Sequence, residues 1–423
     1  MAVLCGAVAA AAPAAAKFTA KLPDGYQHPH VEPPEARHPA WWGVDIVLLV
    51  VALSAASYLA LKRRSRRGLF WVMVASVAYF GFFREGCVCP IGAIQNVTSA
   101  LADSRYVLPG VVAVFFALPL IFTLLFGRTF CAAVCPLGGL QDMVGLWPIS
   151  VPRWITEVFG LLAWAYLAVA VLFAATGCSY IICEYDPFIA LFRLGGPVKM
   201  IVLGACVLVI GLFIARPYCR FLCPYGALLR VASVLSWRHT TITPDACIEC
   251  RLCEESCPYD AIDASNAAGH APPRTEGKRR LAVLVAALPV MIAAGAYLGT
   301  FLSGPFSRMH HEVRLAERVR AEAAGHVTGT TDASDAFYKF SRSVAELYDR
   351  VEGIRGEFTI GCALVGAFMA LVIALKLIAL SVRRTRTEYT PHRATCFSCG
   401  RCFDSCPIER VRRKTGRTPE VTT

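Results

Sequence analysis

The chain has 423 residues, of which 56% are hydrophobic and only 17% charged, and its mean hydropathy of +0.53 excludes an ordinary soluble globular protein. Its net charge of +12 does not indicate nucleic-acid binding, because the basic residues cluster beside apolar stretches, as in the run 62–67. Nineteen cysteines are too many for core packing alone, and their Cys-x2-Cys and Cys-Pro contexts favour metal binding over a disulfide framework.

The N-terminal region has the composition of an exported segment. Residues 1–20 are rich in alanine and are predicted to be a signal segment, although they lack a basic start. Residues 21–41 carry five prolines and are predicted to form an extracytoplasmic arm. His28, His30 and His38 in this arm are interpreted as solvated side chains rather than as ligands of a metal or a partner.

Seven apolar stretches are long enough, or nearly so, to cross about 30 Å of hydrocarbon. They lie near residues 42–61, 68–83, 108–126, 156–175, 198–215, 281–302 and 358–381. Basic segments at 62–67, 274–280 and 383–386 are expected to face the cytoplasm, which agrees only with seven spans and an outside N-terminus. The predicted fold is an all-α, polytopic protein of the inner (cytoplasmic) membrane with about seven transmembrane helices.

The spans divide the chain into successive domains. These are a five-helix membrane domain at 42–235, a first ferredoxin half at 236–280, a membrane hairpin at 281–381 and a second ferredoxin half at 382–423. The hairpin encloses an extracytoplasmic loop at 303–356, in which amphipathic helices are expected at 312–324 and 333–354.

A short motif recurs three times in the membrane domain, as Cys89-Pro-Ile-Gly, Cys135-Pro-Leu-Gly and Cys223-Pro-Tyr-Gly. Proline at the first helical position begins a helix without losing a hydrogen bond. The free N–H groups of that turn would point at the Cys sulfur and stabilise the charge of a thiolate or a cluster. The repeat therefore predicts one metal-binding unit that is used several times.

Two Cys-x3-Cys-Pro pairs are predicted to face the cytoplasm. Their thiols belong to Cys131, Cys135, Cys219 and Cys223. Four thiolates are enough for one further iron–sulfur cluster, and the reducing cytoplasm disfavours disulfides. The alternative is that these are structural cysteines at helix starts, but two pairs in the same context on one face favour the cluster.

Four more thiols are predicted to face outward. They belong to Cys87, Cys89, Cys178 and Cys183. Disulfides are the default in an oxidising compartment, but a Cys87–Cys89 bridge would close a strained loop. The Cys-Pro-x-Gly context favours an outer iron–sulfur or iron site, with disulfides or free thiols as the alternatives. Glu85 and Asp186 nearby are interpreted as capping or solvated groups rather than as groups that deprotonate a quinol.

Two complete motifs with the spacing Cys-x2-Cys-x2-Cys-x3-Cys-Pro follow the fifth and seventh spans. They comprise Cys247, Cys250, Cys253 and Cys257, and Cys396, Cys399, Cys402 and Cys406. In this spacing three thiolates hold one [4Fe-4S] cluster and the fourth reaches the other cluster, whereas a zinc site needs only Cys-x2-Cys pairs. We expect one cytoplasmic dicluster module, in which Cys406 completes the first cluster and Cys257 the second.

Other cofactors have no signature in the sequence. No His lies within a predicted span, no Cys-x2-Cys precedes a His, and no G-x-G-x-x-G follows a strand, so haem and nicotinamide are not expected. The segment 328–331 only loosely resembles a covalent flavin attachment sequence. Cys206 and Cys362 are interpreted as small buried apolar residues, and Cys5 receives no role.

The segments 127–142 and 216–230, together with the two ferredoxin motifs, resemble the NapH/NosR family of membrane polyferredoxins. The resemblance implies electron transfer from quinol or another donor toward a periplasmic reductase. The sequence does not contain the flavin domain of NosR, and its outer cysteines are additions to the NapH pattern.

The function expected from the residues and the resemblance is transmembrane electron transfer through iron–sulfur clusters. Such a protein is an electron-transfer subunit rather than a stand-alone catalyst. Its expected partners are membrane lipid, a cytoplasmic or quinol donor or acceptor, and an extracytoplasmic redox partner or flavin-carrying subunit. The alternatives are a quinol dehydrogenase subunit, and a redox-sensing or maturation protein for another metalloenzyme.

Overall fold

The computed structural model describes residues 40–86, 89–242, 247–265, 274–339, 343–381 and 389–415. Several predictions concern residues outside these ranges, namely the signal segment, nearly all of the extracytoplasmic arm with its three histidines, Cys5, Cys87 and the basic segment 383–386.

The described residues are mostly helical, so the predicted all-α class is confirmed. The helices of the first membrane region are Ala40–Leu61, Arg66–Ser76, Pro90–Ala102, Gly110–Phe126, Pro136–Val144, Arg153–Ala175, Ile181–Glu184, Pro187–Phe192, Val198–Phe213, Pro217–Phe221 and Pro224–Val234, with π-helices at Val77–Phe83 and Phe130–Val134. The later helices are Leu252–Glu255, Arg274–Thr300, Ser303–Ser307, His311–Ala323, Asp332–Lys339, Val344–Ser381, Arg401–Ser405 and Pro407–Thr415, and the strands are Ile262–Asp263 and Thr390–Pro391.

Helices occupy all seven positions at which a span was predicted, but they differ in length. Within the described residues, four are long and apolar enough to cross a membrane: Ala40–Leu61, Trp154–Ala175, Gly277–Thr300 and Val344–Ser381. Gly110–Phe126 and Val198–Phe213 are apolar but shorter, and the second position combines an α-helix with the π-helix Val77–Phe83. The structure therefore supports a membrane protein, and the count of seven crossings stays a prediction.

The first membrane region consists of four similar units in tandem. Each unit has an apolar helix followed by a short helix whose first residue is proline. The proline-initiated helices are Pro90–Ala102, Pro136–Val144, Pro187–Phe192 and Pro224–Val234. In every unit the residue before this proline has an extended backbone, so the chain turns there and brings that side chain to the end of the bundle.

The last two long helices, Arg274–Thr300 and Val344–Ser381, pack against each other as a hairpin. Small residues allow this close approach, because a Cβ placed on Gly295 would lie 2.6 Å from the carbonyl oxygen of Gly366. The prediction of one amphipathic helix at 333–354 is wrong, because its first part lies in the separate helix Asp332–Lys339 and residues 344–354 belong to Val344–Ser381, the continuous helix that also contains the seventh span.

The two ferredoxin halves pair although the hairpin separates them in the chain. Ile262–Asp263 and Thr390–Pro391 form a two-stranded antiparallel sheet, with Ile262 opposite Pro391. The short helices that carry Cys253 and Cys402 also contact each other. The two motifs are therefore parts of one folded module.

Candidate functional site

The four thiols of the Cys-x3-Cys-Pro pairs lie together at one end of the membrane bundle. All four residues are buried. Burial raises the pKa of Cys135 well above its ordinary value, and the thiols of Cys219, Cys131 and Cys223 act in the same direction, which shows that they are mutual neighbours. The structure thus brings the predicted inner set together.

Polar groups of the same units hold two of these thiols in place. Gln141 Nε2 donates to Cys219 Sγ at 3.4 Å, while Gln141 Oε1 accepts from the backbone N–H of Tyr218 at 3.0 Å. The N–H of Gly226 donates to Cys223 Sγ at 3.2 Å, as expected for a Cys directly before a helix-starting proline. A Cβ on Gly138 would lie 3.7 Å from Cys219 Sγ, so glycine there leaves room beside the thiol.

Two buried arginines, which the sequence did not single out, add positive charge to this inner set. Arg128 Nη2 lies 3.8 Å from Cys131 Sγ, and Arg216 donates to the carbonyl oxygens of Cys131 and Ala132. Both side chains are almost fully buried. A site that gathers four thiols and two guanidinium groups suits the negative charge of thiolates around an iron–sulfur cluster.

The second ferredoxin motif gathers a thiol from the first. Cys257, Cys396, Cys399 and Cys402 line one small cavity. Burial raises the pKa of Cys396 to about 12, and Cys399 and Cys257 act in the same direction. This grouping is the one expected when the fourth Cys of one motif joins the first three of the other.

The first motif shows three of its four expected thiols together. Burial raises the pKa of Cys253 to about 11. The backbone N–H of Glu254 acts to lower this pKa, whereas the nearby thiols of Cys247 and Cys250 act in the same direction as burial. Cys406 lies directly before the helix Pro407–Thr415, and its approach to these three thiols stays a prediction.

Aromatic and cationic side chains connect the inner set to the module. The rings of Tyr259 and Phe397, one from each ferredoxin half, lie 4.7 Å apart between centroids. The guanidinium of Arg128 lies 4.1 Å from the centroid of Phe397, and that of Arg216 lies 5.7 Å from it. Phe397 follows Cys396 directly, so the module and the inner thiols share one contact region.

The outer motif repeats the inner geometry only in part. Burial raises the pKa of Cys89 to about 12, and Asp186 acts in the same direction. Cys183 adds a smaller effect of the same sign, which shows that the two thiols are neighbours. A Cβ on Gly92 would lie 3.2 Å from Cys183 Sγ. The charges that act on Cys178 belong instead to Arg314 and Glu184. Among the described residues nothing joins Cys178 to this pair and Cys87 lies outside them, so the convergence of all four outer thiols stays a prediction.

The interpretation of Asp186 as a solvated group is wrong. Its side chain is only 4% exposed, and its carboxylate accepts from the N–H of Phe188 at 2.9 Å, as the capping alternative predicted. Burial raises its pKa to about 6. Cys206 is also misjudged, since it is exposed on its helix, whereas Cys362 is buried as expected.

A buried ion pair between the first helix and Arg84, which follows the π-helix Val77–Phe83, escaped the sequence analysis. Arg84 Nη2 lies 2.5 Å from Asp45 Oδ2, and Tyr79 donates its hydroxyl proton to Asp45 at 2.9 Å. Asp45 lies inside a predicted span, where an unpaired carboxylate would be costly. Its position was therefore the sequence signal for a buried positive partner.

In the described part of the chain, no three His, Cys, Asp or Glu side chains are close enough to hold a single metal ion. Iron–sulfur clusters take thiolate ligands, so the grouped thiols described above fit cluster ligation by their donor type.

A cavity of about 1530 Å³ opens beside the inner set. Its apolar wall includes Trp164 and Phe368, and its polar wall includes Arg128, His239 and Lys376. Sequence patterns could not predict this cavity, because its walls come from segments that are distant in the chain.

Comparison with known proteins identifies the same regions. A 4Fe-4S binding domain family matches residues 108–152 and 197–241, the two units that carry the inner thiols. A second 4Fe-4S binding domain family matches residues 240–263, which contain the first ferredoxin motif. These matches support the binding of iron–sulfur clusters by this chain.

Several curated proteins are similar over part of their length. NirI of Paracoccus denitrificans is 28% identical, over 52% of this chain and 35% of its own. The electron transport protein YccM of Escherichia coli is 31% identical, over 40% of this chain and 52% of its own. The regulatory protein NosR of Pseudomonas aeruginosa is 26% identical, over 51% of this chain and 33% of its own. The chain thus spans between a third and about half of these relatives, and no solved structure matches it.

Proposed function

We propose that this chain, which resembles the NapH/NosR-like membrane polyferredoxins and matches 4Fe-4S binding domain families, carries electrons across the membrane. The path runs between a dicluster module in the cytoplasm and an extracytoplasmic partner. Iron–sulfur clusters supply one-electron chemistry, and the polypeptide fixes where each one sits.

The observation that carries this proposal is the contact between the inner thiols and the module. Arg128 touches both sides, since it lies 3.8 Å from Cys131 Sγ and 4.1 Å from the centroid of Phe397. A shared contact region supports electron exchange between the module and a cluster held by the inner thiols.

We assign the ligands by proximity and spacing. The inner cluster takes Cys131, Cys135, Cys219 and Cys223, and the module clusters take Cys247, Cys250 and Cys253 with Cys406, and Cys396, Cys399 and Cys402 with Cys257. About 30 Å of hydrocarbon is too wide for one efficient tunnelling step, so the path also needs a relay near the far face. The neighbouring thiols Cys89 and Cys183 support such a relay at the other end of the bundle.

The test uses purified protein in vesicles in which the module faces the bath. An impermeant reductant is added outside, and reduction of a trapped impermeant acceptor is followed optically. Wild-type protein should reduce the acceptor, whereas Cys131→Ser and Cys223→Ser should not. Each single variant and the double variant should lose the same amount of iron, because the four thiolates serve one site.

Cys206→Ser is the matched control, because this thiol is exposed on the helix Val198–Phe213 and belongs to no motif. It should keep full activity and iron. Unchanged transfer in both inner variants would remove the inner thiols from the path. Transfer that survives replacement of every assigned Cys would reject the electron-transfer function and favour the maturation or sensing alternative.

The cavity beside the inner set favours a second candidate, a quinol dehydrogenase subunit. Its apolar wall fits a quinone ring or tail, and it reaches Arg128 at the inner site. Oxidation of a quinol would deliver two electrons to the clusters and release two protons to cavity groups or water. A short-chain quinol should then reduce the clusters, and Trp164→Ala should slow this reduction without affecting the impermeant reductant.

A further inference from the structure

Asp186 occupies the position that a cysteine holds in the other three membrane units. The residue before the helix-starting proline is Cys89, Cys135 or Cys223 in three units and Asp186 in the fourth. Their ψ angles are 108°, 117°, 111° and 108°, so all four side chains leave the same extended backbone. Asp186-Pro187 is therefore a fourth copy of the helix start, with a carboxylate in place of the thiol and Ile189 in place of the glycine of the motif.

Contacts between units fix the correspondence. Gln95 Oε1 accepts from the N–H of Ile182 at 3.1 Å, as Gln141 Oε1 accepts from that of Tyr218 at 3.0 Å. Each glutamine lies six residues after its Cys-Pro cysteine, and each reached residue directly precedes a cysteine. Cys183 at the outer end thus corresponds to Cys219 at the inner end.

The glycines of the repeat agree with this pairing. A Cβ on Gly92 would lie 3.2 Å from Cys183 Sγ, and one on Gly138 would lie 3.7 Å from Cys219 Sγ. Because Cys219 is followed by Cys223, the corresponding partner of Cys183 is Asp186, one residue closer in sequence. The outer site is built as the inner site is, with one ligand type exchanged.

The surroundings of Asp186 also call for a positive group. Its carboxylate is buried and accepts hydrogen bonds from the backbone N–H groups of Phe188 and Ile189. No Lys, Arg or His forms an ion pair with it among the residues that the structure describes. Burying an unpaired carboxylate is costly, whereas coordination to a metal satisfies it.

We propose that Asp186 is an oxygen ligand of an outer iron–sulfur cluster, which it holds together with the thiolates of Cys89 and Cys183. This inference rests on the outer relay of the proposed function. The described residues contain no group suited to a single metal ion, and the correspondence with the four inner thiols favours the same kind of multi-iron cluster. Cys178 is not a ligand in this arrangement.

The test separates ligation from helix capping. Asparagine caps helices about as well as aspartate but does not supply an anionic oxygen, whereas cysteine restores the ligand type of the other units. Anaerobically purified Asp186→Asn protein should keep the wild-type melting temperature and lose the outer iron. Asp186→Cys should keep that iron and change its low-temperature EPR or Mössbauer signature. Cys178→Ser should change neither quantity.

The outcomes distinguish the two proposals. Wild-type protein with no iron beyond the inner cluster and the two module clusters would reject the outer relay itself, and with it Asp186 as a ligand. Outer iron that persists with an unchanged spectrum in Asp186→Asn would overturn the ligand role alone and leave Asp186 as a helix cap.

Discussion

Asp142 joins three parts of the protein that are distant in the sequence. Its carboxylate contacts Arg216 beside the inner thiols at 3.5 Å, Arg401 in the second ferredoxin motif at 3.2 Å and Arg66 in the first loop at 3.8 Å. Tyr259 of the first ferredoxin half donates to it at 3.1 Å. One buried carboxylate thus fixes the module against the membrane bundle.

Asp142→Asn should weaken this docking. Burial alone would raise the pKa of Asp142, but Arg216, Arg401 and Arg66 outweigh it and lower the pKa. A carboxyl whose folded-state pKa is lowered stabilises the fold above the ordinary pKa near 4, and this stability is lost as the pH falls through the folded-state value. The loss in the variant should therefore be about 3 kcal/mol and constant between pH 6 and 8.

Thermal unfolding of the module, followed by its cluster absorbance, measures this effect. Asp404→Asn is the control, since its partner Arg413 and Asp404 itself are more exposed and such pairs contribute about 0.5 kcal/mol. A difference between wild type and Asp142→Asn that shrinks already at pH 6 would contradict a lowered pKa.

Cysteine spacing was sufficient to predict which thiols approach each other in the inner set, because ligand spacing is local in sequence. It could not predict Gln141, Arg128 or Arg216, whose roles depend on contacts across units. It also missed the position of Asp186, because a carboxylate before proline is equally typical of an ordinary helix cap.

At the scale of elements, widened helical turns orient the cysteines of the membrane units. The π-helix Phe130–Val134 contains Cys131, and the N–H of Cys135 donates to Phe130, five residues back. The N–H of Cys223 donates to Tyr218 in the same way. Such π turns place an extra residue per turn, which points both cysteines of a pair toward one site. Hydropathy locates the apolar helices but carries no signal for this change of helix type.

The hairpin offers a test at this scale. Gly366 lies against Gly295 and Gly299, and an added side chain would meet backbone atoms of the facing helix. Gly366→Val should therefore separate the helices and lower stability by about 1–3 kcal/mol, the usual cost of overpacking. Gly353→Val in the same helix is the control, since nothing lies within 4 Å of its Cβ position.

The melting temperature in detergent, measured for both variants, decides the matter. Gly353→Val should be near neutral or slightly stabilising, because valine has a higher helix propensity than glycine. Equal losses of stability in the two variants would mean that close packing at Gly366 does not determine the effect.

At the scale of the whole molecule, the structure has two chemically different ends. Arg153–Ala175 is about 34 Å long at 1.5 Å per residue, which matches the hydrocarbon thickness. Near its start, Arg220 reaches both Thr156 and the carbonyl of Tyr259 in the module. Near its end, Phe173 contacts Phe306 of the hairpin loop, and the outer cysteines follow. The inner set with the module and the outer pair thus lie at opposite ends of the bundle.

The orientation of these ends follows from the basic loop 62–67, which lies on the module side, where Arg64 pairs with Glu409 at 2.9 Å. Positive loops remain in the cytoplasm, so the module should face inward and the loop around residue 330 outward.

Alkaline phosphatase inserted after Thr330 should be active, because it folds only after export, whereas a green fluorescent protein fused to the C-terminus should fluoresce. With both reporters exchanged, neither signal should appear. Phosphatase activity at the C-terminus would reverse the orientation, and the module would then have to exchange electrons with an extracytoplasmic partner directly.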